Sequence, residues 1–153
     1  MDITINASEK LRLIELVYNN ATSEIQQIRS IVTKILFGIF GFATILNSWL
    51  LEYTSQFTII KKVFFSIFLS ILSTFTLYVI NNHKKYFLDI AKVINKIDIL
   101  INMYEKNTYI PNEVLFPGNW KNFGGKNWKE PIFSASYLSI FFFYLLSICL
   151  LWF

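Results

Sequence analysis

Three apolar runs of membrane-spanning length, residues 31–51, 63–80 and 134–153, constrain this 153-residue chain more than any other feature. A bilayer core about 30 Å thick needs roughly 20 helical residues to cross it. No water reaches the backbone N–H and C=O groups inside lipid, so each run is expected to be a helix. Lys34 is the only charged residue in all three. The expected fold is an all-α membrane protein. It has an antiparallel hairpin of two long helices extending into the cytoplasm, plus a third, C-terminal transmembrane helix.

Charge placement predicts the orientation. The loop at 52–62 carries two lysines, whereas residues 81–131 carry eight lysines against five acids, a net of +3. The positive-inside rule puts residues 81–131 in the cytoplasm, the N-terminus with them and the C-terminus outside. Trp49, Tyr53 and Trp152 would then form an outer aromatic belt, and Trp128 and Tyr137 an inner one. Asp2, Glu9, Glu15 and Glu24 argue against a cleaved leader, so the first run reads as an anchor. The overall charge of +4 is read as headgroup attraction, with no sequence-specific nucleic acid as a partner.

Residues 1–30 show a seven-residue pattern continuous with the first span. Leu11, Ile14, Tyr18, Ala21, Ile25, Ile28, Val32 and Ile35 recur at spacings of three and four, a heptad seam. Asn6 and Glu9 have the spacing of a capping box. After the second span, residues 81–106 carry a second seam of Phe87, Ile90, Ile94, Ile97, Ile101 and Tyr104, widened by Tyr86, Val93 and Leu100. With neither Pro nor Gly between positions 61 and 107, one helix is expected over 61–106. An external turn at 52–62 makes the two helices antiparallel, so the seams meet in a stalk. Either they bury each other within one chain, or part of this surface faces another copy. Leu13, Leu16, Val17 and Ile99 lie off the seams and need cover.

Residues 107–133 break the pattern. Pro111, Pro117, Gly118, Gly124 and Gly125 signal turns among Phe116, Trp120, Phe123 and Trp128. This elbow either connects the stalk to the third span or acts as a gate through Pro117, Gly118, Trp120, Gly124 and Gly125. Inside the spans, Ser66, Ser70 and Ser73 share one helical face, and Asn47 is the most polar residue of the first span. Such groups either pack helices or line a pore. The third span, with Phe141, Phe142 and Phe143, reads as the most lipid-facing.

No phosphate-cradling glycine loop, nucleophile elbow or carboxylate–histidine cluster occurs. The chain is therefore not expected to be an enzyme, and no cofactor is expected. A single cysteine, Cys149, and a single histidine, His83, make no zinc site. His83 reads as an interfacial polar cap and Cys149 as a small apolar side chain.

Residues 24–51, residues 63–104 and the string Tyr109-Ile-Pro-Asn-Glu-Val-Leu-Phe-Pro-Gly-Asn-Trp120 resemble, in layout and hydropathy, small bacterial multi-span membrane proteins. The layout is similar to the RipA-type octameric membrane protein family and, more distantly, to SLATT-type defence effectors, which typically carry two spans. The resemblance implies a homo-oligomer in the bacterial inner membrane that perturbs or perforates it in a defence or stress system. The alternatives are a non-permeating anchor or scaffold for a cytoplasmic partner, and a holin-like lysis protein. The expected partners are the lipid bilayer and further copies of the chain, with a cytoplasmic protein or nucleotide signal left open.

Overall fold

The absence of proline before position 111 lets the first two apolar runs extend into long helices. The computed structural model describes residues 7–125 and 128–153. Helix α1 spans Ala7–Tyr53, α2 spans Ile59–Leu100 and α3 spans Pro131–Trp152. All three are long and apolar enough to cross a membrane. The Asn6 cap lies outside the described residues. Pro131 opens α3 at a position where its missing N–H costs no helical hydrogen bond. Short 3-10 turns occupy Thr54–Gln56 and Gly118–Asn122, and among the described residues strand pairing is limited to an isolated bridge between Ile110 and Glu113.

The chain divides into two compact units. The stalk unit comprises Met1–Ile28 and Lys85–Trp128, and the span unit comprises Arg29–Lys84 and Lys129–Phe153. In the stalk unit, Ala21, Ile25 and Ile28 of α1 and Phe87, Ile90, Ala91, Ile94 and Ile97 of α2 are buried. All but Ala91 belong to the two heptad seams. Tyr86 Oη donates to Glu24 Oε2 at 2.7 Å across the same helix pair. Toward the start of α1 the seam opens: Ile14 and Tyr18 are half-buried and Leu11 is exposed.

Helix α2 ends six residues before the expected position 106. Asn102 adopts a left-handed conformation, with φ of 58°. Its N–H donates to Ile99 O and that of Met103 to Asp98 O, the paired bonds of a Schellman motif. Asparagine tolerates this conformation better than other non-glycine residues, so it stops a helix without Pro or Gly. Ile101 and Tyr104 therefore fall outside the helical seam. Of the widening positions, Tyr86, Val93 and Leu100 are all exposed.

The elbow belongs to the stalk unit as far as Trp128. Pro111 and Asn112, the latter with φ of 63°, occupy the centre of a turn closed by Glu113 N–H donating to Ile110 O, the residue pattern of a type II turn. Phe116 N–H donates to Met103 O, and Tyr109 Oη donates to Ile101 O at 2.6 Å. An aromatic chain then runs from Tyr104 through Phe116 to Trp120.

In the span unit, Trp49 of α1 lies on Phe57 and Phe65 at the hairpin turn. Helix α3 runs parallel to α1 and antiparallel to α2. Phe143 packs edge-on to Phe40 at 4.5 Å, and Thr54 Oγ1 donates to Leu151 O at 3.3 Å. Contrary to the lipid-facing expectation, α3 has the largest buried share of the three apolar segments, 22% against 17% and 11%. Phe133, Ser136, Ile140, Ser147 and Leu151 make its buried face. Phe141 and Phe142 do face outward.

Candidate functional site in the span and stalk units

Hydroxyl groups within the apolar helices first satisfy themselves on their own backbone. Ser66, Ser70, Thr74 and Thr76 each donate to the carbonyl four residues back, as do Thr44 and Ser48 in α1. Side-chain bonds then tie α3 to its neighbours. Ser147 Oγ donates to Asn47 Oδ1 at 2.7 Å, Ser70 Oγ and Tyr144 Oη share a bond of 2.9 Å, and Trp152 Nε1 donates to Ser66 Oγ at 3.0 Å. Asn47, Ser66 and Ser70 thus sit at contacts between helices of one chain. Ser73 makes no side-chain hydrogen bond among the described residues.

A polar girdle closes the other end of this unit. Arg29 pairs with Glu130 at 3.0 Å, Tyr137 Oη approaches Asn81 Oδ1 at 3.5 Å, and the Lys84 ammonium lies 5.5 Å from the centre of the Tyr137 ring. His83 Nδ1 sits 3.0 Å from Val79 O, a contact within its own helix. Cys149 is exposed on α3.

Between the three helices lies a cleft of about 410 Å³, open on one side. Gly38, Leu72, Ser73, Ile140 and Phe143 are among its lining residues, and its walls are overwhelmingly apolar. A side chain at Gly38 would meet nothing within 4 Å.

The stalk unit carries a different feature. Asp98 is only 4% exposed, and its buried Oδ1 has no hydrogen-bond partner among the described residues. Burial pushes its carboxyl above the usual range. Tyr18 is raised by burial and then by the Asp98 charge, and Tyr104 by burial, by Asp98 and by Tyr18. Tyr86 is raised chiefly by its hydrogen bond to Glu24. Tyr104 Oη also reaches Asn95 Oδ1 at 3.4 Å.

The five gate candidates differ sharply. Pro117, Gly118 and Trp120 are exposed, and Gly118 has open space around it. Gly124 is buried with φ of 72°, and a side chain there would come within 2.7 Å of Lys92 N and 2.8 Å of Ala91 Cβ. It is a close contact of the elbow with α2. A side chain at Gly125 would come within 2.9 Å of Asn122 O. Phe123 packs edge-on to Phe87 at 6.2 Å and to Trp128 at 4.9 Å, and the buried Trp128 Nε1 has no hydrogen-bond partner among the described residues.

Sequence reasoning did not single out Asp98, Tyr144 or the cleft. Buried positions 133, 136, 140, 147 and 151 follow spacings of three, four and seven, but in a helix apolar on every side no hydropathy contrast marks them. No family model, curated protein or solved structure matches the chain. Its three long apolar helices mark it as a membrane protein.

Proposed function

We propose that the protein is a homo-oligomeric scaffold of the bacterial inner membrane, with its N-terminus and residues 81–131 cytoplasmic and its C-terminus external. In this reading the stalk unit holds copies of the chain together and presents a cytoplasmic partner with a docking surface. The observation that carries it is the stripe Leu13, Leu16 and Val17, large apolar side chains left exposed outside the spanning runs. Spacings of three and four place them on one helical face. Lys10, Arg12 and Glu15 flank them, a mixed pattern that two copies can match. The seam residues Ile25, Ile28, Phe87, Ile90, Ile94 and Ile97 are occupied within one chain, so the stripe is the more available surface.

A pore-forming defence effector is the second reading. It draws on the layout resemblance and on the unengaged hydroxyl of Ser73. Engagement of Asn47, Ser66 and Ser70 with α3 favours the scaffold, because a water-filled path would need those groups released.

Native mass spectrometry of the full chain in lipid nanodiscs tests the assembly. The scaffold reading expects an oligomer that Leu16→Glu dissociates, with no loss of membrane potential on expression. A monomer in nanodiscs would remove self-association from the reading. Depolarisation abolished by Ser73→Leu would replace the scaffold with the effector.

A further inference from the structure

The cleft of the span unit has the dimensions of a binding site for one extended hydrocarbon chain. Its α1 wall runs from Ile35 to Leu46, about 16 Å at 1.5 Å per residue. Its volume of about 410 Å³ lies within the range of about 300–1,000 Å³ typical of small-molecule sites.

The chemistry of the walls narrows the occupant further. Thr76 donates to Leu72 O, Ser147 to Asn47 and Phe143 O, and Tyr144 is bonded to Ser70. Ser73 is the one lining hydroxyl without a side-chain hydrogen bond among the described residues. A ligand with a charged or multiply polar body would lose its hydration here without replacement. A saturated chain loses nothing of that kind. The helices around the cleft are apolar on their outer faces, at Ile71, Phe75, Leu138 and Phe141. What meets the open side is therefore hydrocarbon.

We propose that this cleft holds a single acyl chain of a bilayer phospholipid, lodged beside Gly38 among α1, α2 and α3. The proposal rests on the reading that these three helices cross a membrane. Occupancy makes the packing of α3 on the hairpin responsive to the acyl composition of the bilayer. Gly38 lines the cleft and has open space around it, so a larger side chain there is expected to compete with the acyl chain for that space.

The test uses the full chain in vesicles of phosphatidylethanolamine and phosphatidylglycerol, doped with a phosphatidylcholine bearing a mid-chain photoreactive diazirine. Crosslinked residues are mapped by peptide mass spectrometry. Labelling of Leu72, Ser73 and Ile140 is expected to exceed that of Leu138 and Phe141 on the outer face of α3. In Gly38→Leu it is expected to fall to the outer-face level, while Gly41→Leu, outside the lining but equally open around its backbone, retains it. Circular dichroism checks that both variants remain helical. If Gly38→Leu loses its helicity, Ala43→Val, which narrows the same wall, is expected to lower cleft labelling in its place. Equal labelling of cleft and outer face, or cleft labelling indifferent to Gly38→Leu in a folded protein, would overturn the proposal and leave the membrane reading intact. Absence of label from the outer face as well would overturn both.

Discussion

In the stalk unit the buried side chains are mainly apolar, Phe87, Ala91 and Ile94 among them, and the buried Asp98 has an oxygen without a partner among the described residues. The span unit also buries apolar side chains, Val32, Leu50, Phe133 and Leu151 among them, but here Asn47, Ser136 and Ser147 are buried and hydrogen-bonded, while Phe64, Ile67, Ile71 and Phe75 are exposed. The difference fits the proposed placement of the stalk in water and of the spans in lipid. Water drives apolar surface inward, so the stalk seams gain by burial. Lipid offers no such drive, and helices there are joined by packing and by the few polar groups that would otherwise lack partners. A hydroxyl that is a neutral surface feature in water becomes the specific element in the spans.

The largest expected effect tests the stalk half of this contrast. Phe87 is fully buried and contacts the elbow through Phe123, so Phe87→Ala should destabilise the stalk unit by about 3–5 kcal/mol. Hydrogen exchange in detergent should show protection lost in residues 85–125 and retained in the spans. Equal loss in both would mean that the units do not behave as separate cooperative bodies.

Gly124→Ala comes next. The left-handed backbone and the close approach to Lys92 N together should cost roughly 1–3 kcal/mol. Limited proteolysis should then cleave the elbow faster, whereas Gly118→Ala, with open space around it, should match the parent protein. Elbow cleavage unchanged in Gly124→Ala would show that the contact with α2 is dispensable.

Asp98 sharpens the comparison through pH. Its folded-state carboxyl is raised by burial, so the folded stalk binds the proton more tightly than the unfolded chain does. The stabilising contribution is full below the unfolded carboxylate value and is lost as pH rises through the raised folded value. Acidification should therefore stabilise the stalk unit. Asp98→Asn should flatten that dependence and raise stability near neutral pH, by an amount on the order of 1 kcal/mol. Thermal melts of both proteins across the acidic and neutral range read this directly. A parent protein whose melting is indifferent to pH would refute it.

The smallest effect belongs to the spans. Ser147→Ala removes the bond to Asn47, and hydrogen bonds between membrane helices average about 0.6 kcal/mol. A small downward shift in resistance to unfolding by dodecyl sulfate is expected. A loss as large as that of Phe87→Ala would mean that polar lacing, rather than packing, dominates the span unit.

The three apolar helices and both stalk seams were legible in the chain because hydropathy and heptad spacing stand out against polar neighbours. The early end of α2 was not, because Asn102 signals a stop only once its neighbours adopt the Schellman bonds. The serine face of α2 was visible as Ser66, Ser70 and Ser73. Whether it would line a path or join helices depended on Tyr144 and Trp152, which lie more than 70 positions away.

Helix content, the membrane-spanning length of three segments, their charge asymmetry and the two buried seams of the stalk follow from sequence alone, because each is a local property of composition and period. Which face of α3 turns inward, where Gly124 meets α2, the isolation of Asp98 Oδ1 and the cleft beside Gly38 were decided only by tertiary structure. In an almost wholly apolar helix, every face has nearly the same hydropathy, so no periodic contrast marks the buried one. There the choice falls to shape and to a few hydrogen bonds whose partners are distant in the chain.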